Sequence, residues 1–192
     1  MPLQRIAEAL DAGHALFGES RVQEAEPKVA ALARFGGARW HLVGHLQSNK
    51  ARRAVALFEA VHSVDSVELA ARLDRLAADG GRRVPVYLEV NLDGDPAKSG
   101  FGPDALSGAL DELLGLAALE PLGLMTVGAL AGDPEAARPT FRRLAAFSAE
   151  LRARDARLGS GLSMGMSDDF EVAVEEGATI VRVGRAIFGE RA

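Results

Sequence analysis

The run Leu162-Ser163-Met164-Gly165-Met166-Ser167-Asp168-Asp169 and the shorter Val181-Arg182-Val183-Gly184 hold residue types that bind an anion. Each reads as a short strand ending in glycine and small polar residues, where backbone N–H groups can approach a phosphate with no side chain in the way. Ser163, Ser167, Gly184 and Arg185 are the phosphate-site candidates, because N–H groups near a helix start hold an anion through hydrogen bonds and the helix dipole. Asp168 and Asp169 have a plainer reading as helix caps. Arg182 sets a cation where it can face a cofactor ring or pair with a rim carboxylate. Ser163 and Ser167 lack the Gly-x-Ser-x-Gly context and the His partner of a hydrolase. No His/Asp/Glu spacing marks a metal site.

Seven short apolar runs can carry these residues: Ala15–Phe17, Trp40–Val43, Ala60–Ser63, Val84–Asn91, Leu122–Val127, Leu162–Met164 and Thr179–Val183. Amphipathic helical patterns lie between them, over Pro2–Ala12, Ser66–Ala78, Pro103–Leu119, Pro134–Arg154 and Asp168–Glu176, the last ending at Gly177. Strands alternating with helices predict an α/β fold with parallel pairing. The near-continuous apolar run Val84–Val90 fits a strand covered on both faces. An open doubly wound sheet and a TIM-type (β/α) barrel both satisfy this order. No Gly-x-Gly-x-x-Gly follows the first strand, which weighs against a dinucleotide site. In a barrel the C-terminal strand ends form one rim. Gly18-Glu19-Ser20, Gly44-His45, Ser63-Val64-Asp65, Asn91, Thr126 and the two C-terminal runs would then share it.

Asn91, Met125 and Met164 alternate into a pocket wall, the methionines being equally suited to core packing. His45 would lie near the cofactor, and His41, inside a strand, reads as a hydrogen-bonded core histidine. Lys50 and Lys98 are the lysines near strand ends. Lys98 follows the loop Asp93-Gly94-Asp95-Pro96 and is expected to be solvated and mobile, so neither is a good covalent anchor.

The 192 residues are 48% hydrophobic and 26% charged, the composition of one soluble globular domain over 1–192. A net charge of −5, with arginines scattered among acidic residues, argues against nucleic acid as a partner. No run approaches the ~20 apolar residues of a membrane span. There is no signal-peptide pattern and no cysteine, so the cytoplasm is the expected compartment.

Taken together, these residues resemble the pyridoxal-phosphate homeostasis protein family, whose fold is like the barrel domain of alanine racemase. The matching segments are Phe17-Gly18-Glu19 with Val22-Gln23-Glu24, Trp40-His41-Leu42-Val43-Gly44-His45-Leu46-Gln47-Ser48-Asn49-Lys50, and His62-Ser63-Val64-Asp65-Ser66. Val90-Asn91, Lys98-Ser99-Gly100, Gly123-Leu124-Met125, Leu162 through Phe170 and Val181 through Gly189 follow in order. The resemblance implies a non-catalytic carrier or buffer of pyridoxal 5'-phosphate, with apoenzymes that use this cofactor as recipients. It also implies that Arg182 meets the pyridine nitrogen, where a charged guanidinium keeps that nitrogen unprotonated and disfavours carbanion chemistry. A racemase on the same barrel is the alternative. It needs the cofactor lysine and a second base, commonly a Tyr, and Tyr87 is the one tyrosine.

The sequence departs from the family pattern in three places. The family's cofactor lysine lies on the first barrel strand, in a segment whose proline Pro2 matches. The barrel is therefore expected to lack that strand, leaving Ala15–Phe17 and Thr179–Val183 as unpaired edges. Such a truncated chain would bind the cofactor non-covalently at most, or be inert. Ser20 stands where the family has Asn, and Arg185 where it has a small hydroxyl residue.

Overall fold

The computed structural model describes residues 2–33, 36–128 and 133–189. Helices and strands alternate throughout: α1 (Leu3–Asp11), β1 (Leu16–Glu19), α2 (Val22–Leu32), β2 (Arg39–Leu42), α3 (Ala51–Leu57), β3 (Ala60–Val64), α4 (Val67–Asp79) and β4 (Val84–Glu89). They continue with α5 (Pro103–Leu114), β5 (Leu119–Met125), α6 (Arg138–Arg154), β6 (Gly161–Met166), α7 (Phe170–Glu175), β7 (Ile180–Arg182) and α8 (Arg185–Phe188). Each strand pairs in parallel with the next, in the unbroken order β1 to β7. A doubly wound sheet reverses its strand order at a switch point, whereas a barrel does not. The architecture is therefore a TIM-type (β/α) barrel, nearly closed. Among the described residues β1 and β7 pair with β2 and β6 respectively and not with each other.

The core lies between the strands and the helical layer. Leu42, Val61, Val86, Leu88, Leu124 and Met164 face it from the sheet, and Leu69, Leu73, Leu106, Leu110, Phe141 and Leu144 from the helices. Period-2 alternation sends the other set of strand side chains inward. That set includes His41, His62, Tyr87, Glu89, Ser163 and Arg182, so the barrel interior is polar.

The predicted elements shift at several ends. The helix expected over Pro103–Leu119 stops at Leu114, where the N–H of Gly115 closes on the carbonyls of Asp111 and Glu112. Leu119 opens β5 instead, three residues before the expected start at Leu122. The helix expected from Asp168 begins at Phe170. Asp169 does not cap it through its side chain; its carboxylate takes the N–H of Met166 at 2.5 Å and closes the turn after β6. Helices α2 and α3 were not expected. Pro27 sits inside α2, and α3 is only seven residues long. Among the described residues no helix is long and apolar enough to cross a membrane.

The turn after β6 depends on Gly165. Its φ is +90°, and a Cβ there would lie 2.5 Å from Ala173 Cβ and 3.1 Å from Phe170 Cα. The β6–β7 register shifts between Ser163 and Met166, so Gly165 lets the strand bend while α7 packs directly above it. Gly165→Ala should destabilise the fold by about 2 kcal/mol or more, through backbone strain and overpacking together. A denaturant midpoint unchanged from that of the parent protein would contradict this.

Candidate cofactor-binding site

Arg182 ends β7 with its guanidinium inside the barrel. Nη1 donates to the carbonyl of Ser163 at 2.8 Å and to its Oγ at 2.9 Å, and Nη2 donates to the carbonyl of Thr126 at 2.9 Å. A guanidinium has five N–H groups. Among the described residues three are used, one per bond, which leaves two. Burial lowers the pKa of Arg182 to about 10, against the pull of Glu89 and Asp169 in the other direction. The group remains charged at neutral pH. The alternative of a simple rim ion pair does not describe it, since its bonds go to backbone carbonyls and a hydroxyl.

Arg182 lines a cavity of about 750 Å³ along the unpaired edges of β1 and β7. Leu16, Gly18 and Ser20 border it from the β1 side, His41 and His62 from within, and Ser167, Asp168, Gly184 and Arg185 at the far end. Ser167 Oγ accepts the N–H of Gly184 at 3.1 Å and of Ala186 at 3.4 Å, so this hydroxyl sits where α8 begins, with its own proton left to donate. Gly184 leaves open space beside its backbone; an added Cβ would meet nothing within 4 Å. Arg185 is exposed and pairs with Asp168. Four of the expected site residues (Arg182, Ser167, Gly184 and Arg185) thus border one cavity.

The other four fall elsewhere. Ser163 is wholly buried beneath Arg182 and binds it, so it supports the guanidinium rather than a phosphate. Met164 points the opposite way along β6 and lies in the apolar core, fully buried. Asn91 uses its side chain to pin the following loop. Nδ2 donates to the carbonyls of Asp95 and Lys98 at 2.8 and 3.1 Å, and Oδ1 accepts from the N–H of Asp95. His45 lines a separate, smaller cavity with Ser20, Gln23, Gln47 and Lys50, and its Nδ1 lies 2.9 Å from Asp65 Oδ2. Lys98 is tied down rather than solvated, with its side chain 19% exposed. Its ammonium donates to Asp93 at 2.6 Å and to the carbonyls of Val127 and Gly128, both at 3.2 Å. Neither Lys28, Lys50 nor Lys98 lines the main cavity. Among the described residues no cluster of His, Asp or Glu could hold a metal ion.

The expectation for His41 as a hydrogen-bonded core residue is met: its Nδ1 lies 2.9 Å from His62 Nε2. Residues not singled out from the sequence complete the interior. His62 Nδ1 is 2.8 Å from Ser163 Oγ, and the His62 ring lies against Tyr87 with centroids 4.4 Å apart. Glu89 is buried on β4, and its Oε2 has no hydrogen-bond partner among the described residues. The available signal was the inward parity of His41, His62 and Glu89 on neighbouring strands, a polar stripe in segments otherwise rich in Val and Leu.

The model of the alanine racemase N-terminal domain family matches residues 1–192. The chain belongs to this family. Within it, the chain is similar to proteins named pyridoxal phosphate homeostasis protein. That of Aquifex aeolicus is 39% identical over 191 residues, covering 100% of this chain and 83% of the relative. That of Escherichia coli K12 is 35% identical over 192 residues, covering 99% and 82%. PipY of Synechococcus elongatus PCC7942, solved with pyridoxal phosphate bound, superposes with a TM-score of 0.93 at 44% identity, covering 98% of this chain and 88% of that one. Alanine racemase of Clostridium difficile 630 shares the fold alone, at a TM-score of 0.74 and 15% identity over 97% of this chain and 48% of that one.

Glu89 gives this member of the alanine racemase N-terminal domain family a pH signature. Burial, reinforced by Asp65, pushes its pKa from 4.5 up to about 7, against the opposing pull of His45 and Arg182. Between those two values the folded state keeps a proton that the unfolded state has released, so this group costs stability as pH rises through that window. Glu89→Gln removes the dependence at nearly constant shape. At pH 8 it should raise stability by on the order of 2–3 kcal/mol, and at pH 4 it should change little. Thermal melts at the two pH values test this, and an equal shift at both would contradict it.

Proposed function

We propose that this chain binds pyridoxal 5'-phosphate and serves as a non-catalytic carrier or buffer of that cofactor in the cytoplasm, releasing it to apoenzymes that need it. The observation that carries this reading is the half-buried Arg182 guanidinium, held by three bonds on the wall of the cavity with two N–H groups left over among the described bonds. Arg182 would donate to the pyridine nitrogen. At a pKa of about 10 it offers a hydrogen bond rather than a proton, so the ring stays a poor electron sink. Ser167, the backbone at Gly184 and the charge of Arg185 would hold the phosphate at the start of α8. The bound cofactor supplies an aldehyde able to condense with amines. Support also comes from the relatives' names and from the pyridoxal-phosphate-bound PipY.

The racemase alternative is less well supported. Proton transfer at a substrate carbon needs two positioned bases. No Lys, Tyr or Cys borders the cavity among the described residues, and Tyr87 lies against His62.

Equilibrium dialysis should detect pyridoxal phosphate binding, weakened about tenfold or more by Arg182→Ala through loss of a charge-assisted hydrogen bond. Borohydride reduction followed by peptide mapping should leave Lys28, Lys50 and Lys98 unmodified. A specific adduct at one of them would replace non-covalent binding with a covalent anchor, and measurable racemisation of alanine would end the carrier-only reading.

A further inference from the structure

Four polar side chains stand in series across the barrel interior. Arg182 Nη1 donates to Ser163 Oγ at 2.9 Å, Ser163 Oγ lies 2.8 Å from His62 Nδ1, and His62 Nε2 lies 2.9 Å from His41 Nδ1. Ser163 and His62 are 0% exposed, so their groups must satisfy one another. One direction achieves this. Ser163 accepts from Arg182 and gives its hydroxyl proton to His62 Nδ1; His62 donates from Nε2 to His41 Nδ1; and His41 is left with its own Nε2–H at the cavity. In the reverse direction both imidazoles carry their protons on Nδ1, and the Ser163 proton has no acceptor among the described bonds. Burial, with His41 and Arg182 adding to it, pushes the His62 pKa down to about 3, so its ring stays neutral and able to accept. Tyr87, with its ring tilted 33° to that of His62, holds the imidazole plane.

We propose that His62 is a positioning residue for Arg182: by accepting the Ser163 proton it turns the hydroxyl lone pairs toward the guanidinium and fixes that group's orientation on the cavity wall. This rests on the reading that Arg182 meets the ring of the ligand. His41 terminates the series and sets the tautomer of His62. The two histidines thereby act on ligand binding without either having to touch the ligand.

The test compares pyridoxal phosphate affinity by equilibrium dialysis in His62→Leu, His62→Asn and Arg182→Ala, alongside long-range ¹H–¹⁵N NMR of the imidazoles in the unaltered protein. His62→Leu removes the acceptor and should weaken binding about tenfold, the effect of one hydrogen bond to a charged group's support. His62→Asn keeps an acceptor oxygen close to the Nδ1 position and should restore most of the affinity. NMR should show His62 protonated on Nε2 and bare on Nδ1, a readout that does not depend on any variant folding. Equal losses in the Leu and Asn variants, or a His62 proton on Nδ1, would overturn the proposal. Normal binding by His62→Leu together with loss in Arg182→Ala would overturn the relay while leaving the ligand reading intact. Normal binding by Arg182→Ala would overturn both.

Discussion

A guanidinium inside a barrel is the demand around which this interior is arranged. Removing a permanent cation from water is costly unless acceptors replace the water. Here the acceptors come from the two strands that precede its own. Ser163 supplies a carbonyl and a hydroxyl from β6, Thr126 a carbonyl at the end of β5, and Arg182 itself sits on β7. Thr126 is in turn held by its own hydroxyl bond to the carbonyl of Val90 at 2.8 Å, which brings β4 into the same frame. The charge thereby specifies the relative height of four neighbouring strands.

The loops above follow from the same economy of polar groups. Asn91 and Lys98 cross-tie the connection between β4 and α5, the lysine reaching over to the carbonyls that follow β5. Asp169 closes the turn after β6, and Gly165 makes room for it. At the far end of the cavity Ser167 ties the same turn to the start of α8. The groups proposed to bind the cofactor thus sit on segments whose backbone is already hydrogen-bonded, which suits a site for a rigid ring and a phosphate together.

Much of this was legible in the sequence because period-2 and helical alternation are local. All seven strands appear near their expected places, and the bulk of the errors were at ends, where Gly115 and Asp169 act through bonds a periodicity does not show. Local pattern alone leaves barrel and open sheet both open, because strand order is not encoded locally; the motif resemblance points to the barrel, and the order β1 to β7 bears it out. For the site, Arg182, Ser167, Gly184 and Arg185 line one cavity. Ser163 and Met164 are adjacent and must face opposite sides of β6, so they cannot both line the site; Met164 takes the core side, the other reading its sequence allows. Asn91 was assigned by its position at a strand end, but its amide is satisfied within its own loop. His62 and Glu89 were passed over because a lone polar residue in an apolar run usually reads as noise until its neighbours on the adjoining strands are known.

The order β1 to β7 makes every strand pairing one between consecutive segments. The cavity walls bring together the segments farthest apart in the chain, and backbone pairing does not join them. A ligand touching both sides would therefore act as a clasp. Its binding free energy would enter the folding equilibrium directly, adding stability in proportion to the logarithm of its free concentration. In such an arrangement the amount of ligand present is recorded in how firmly the two ends of the sheet hold together.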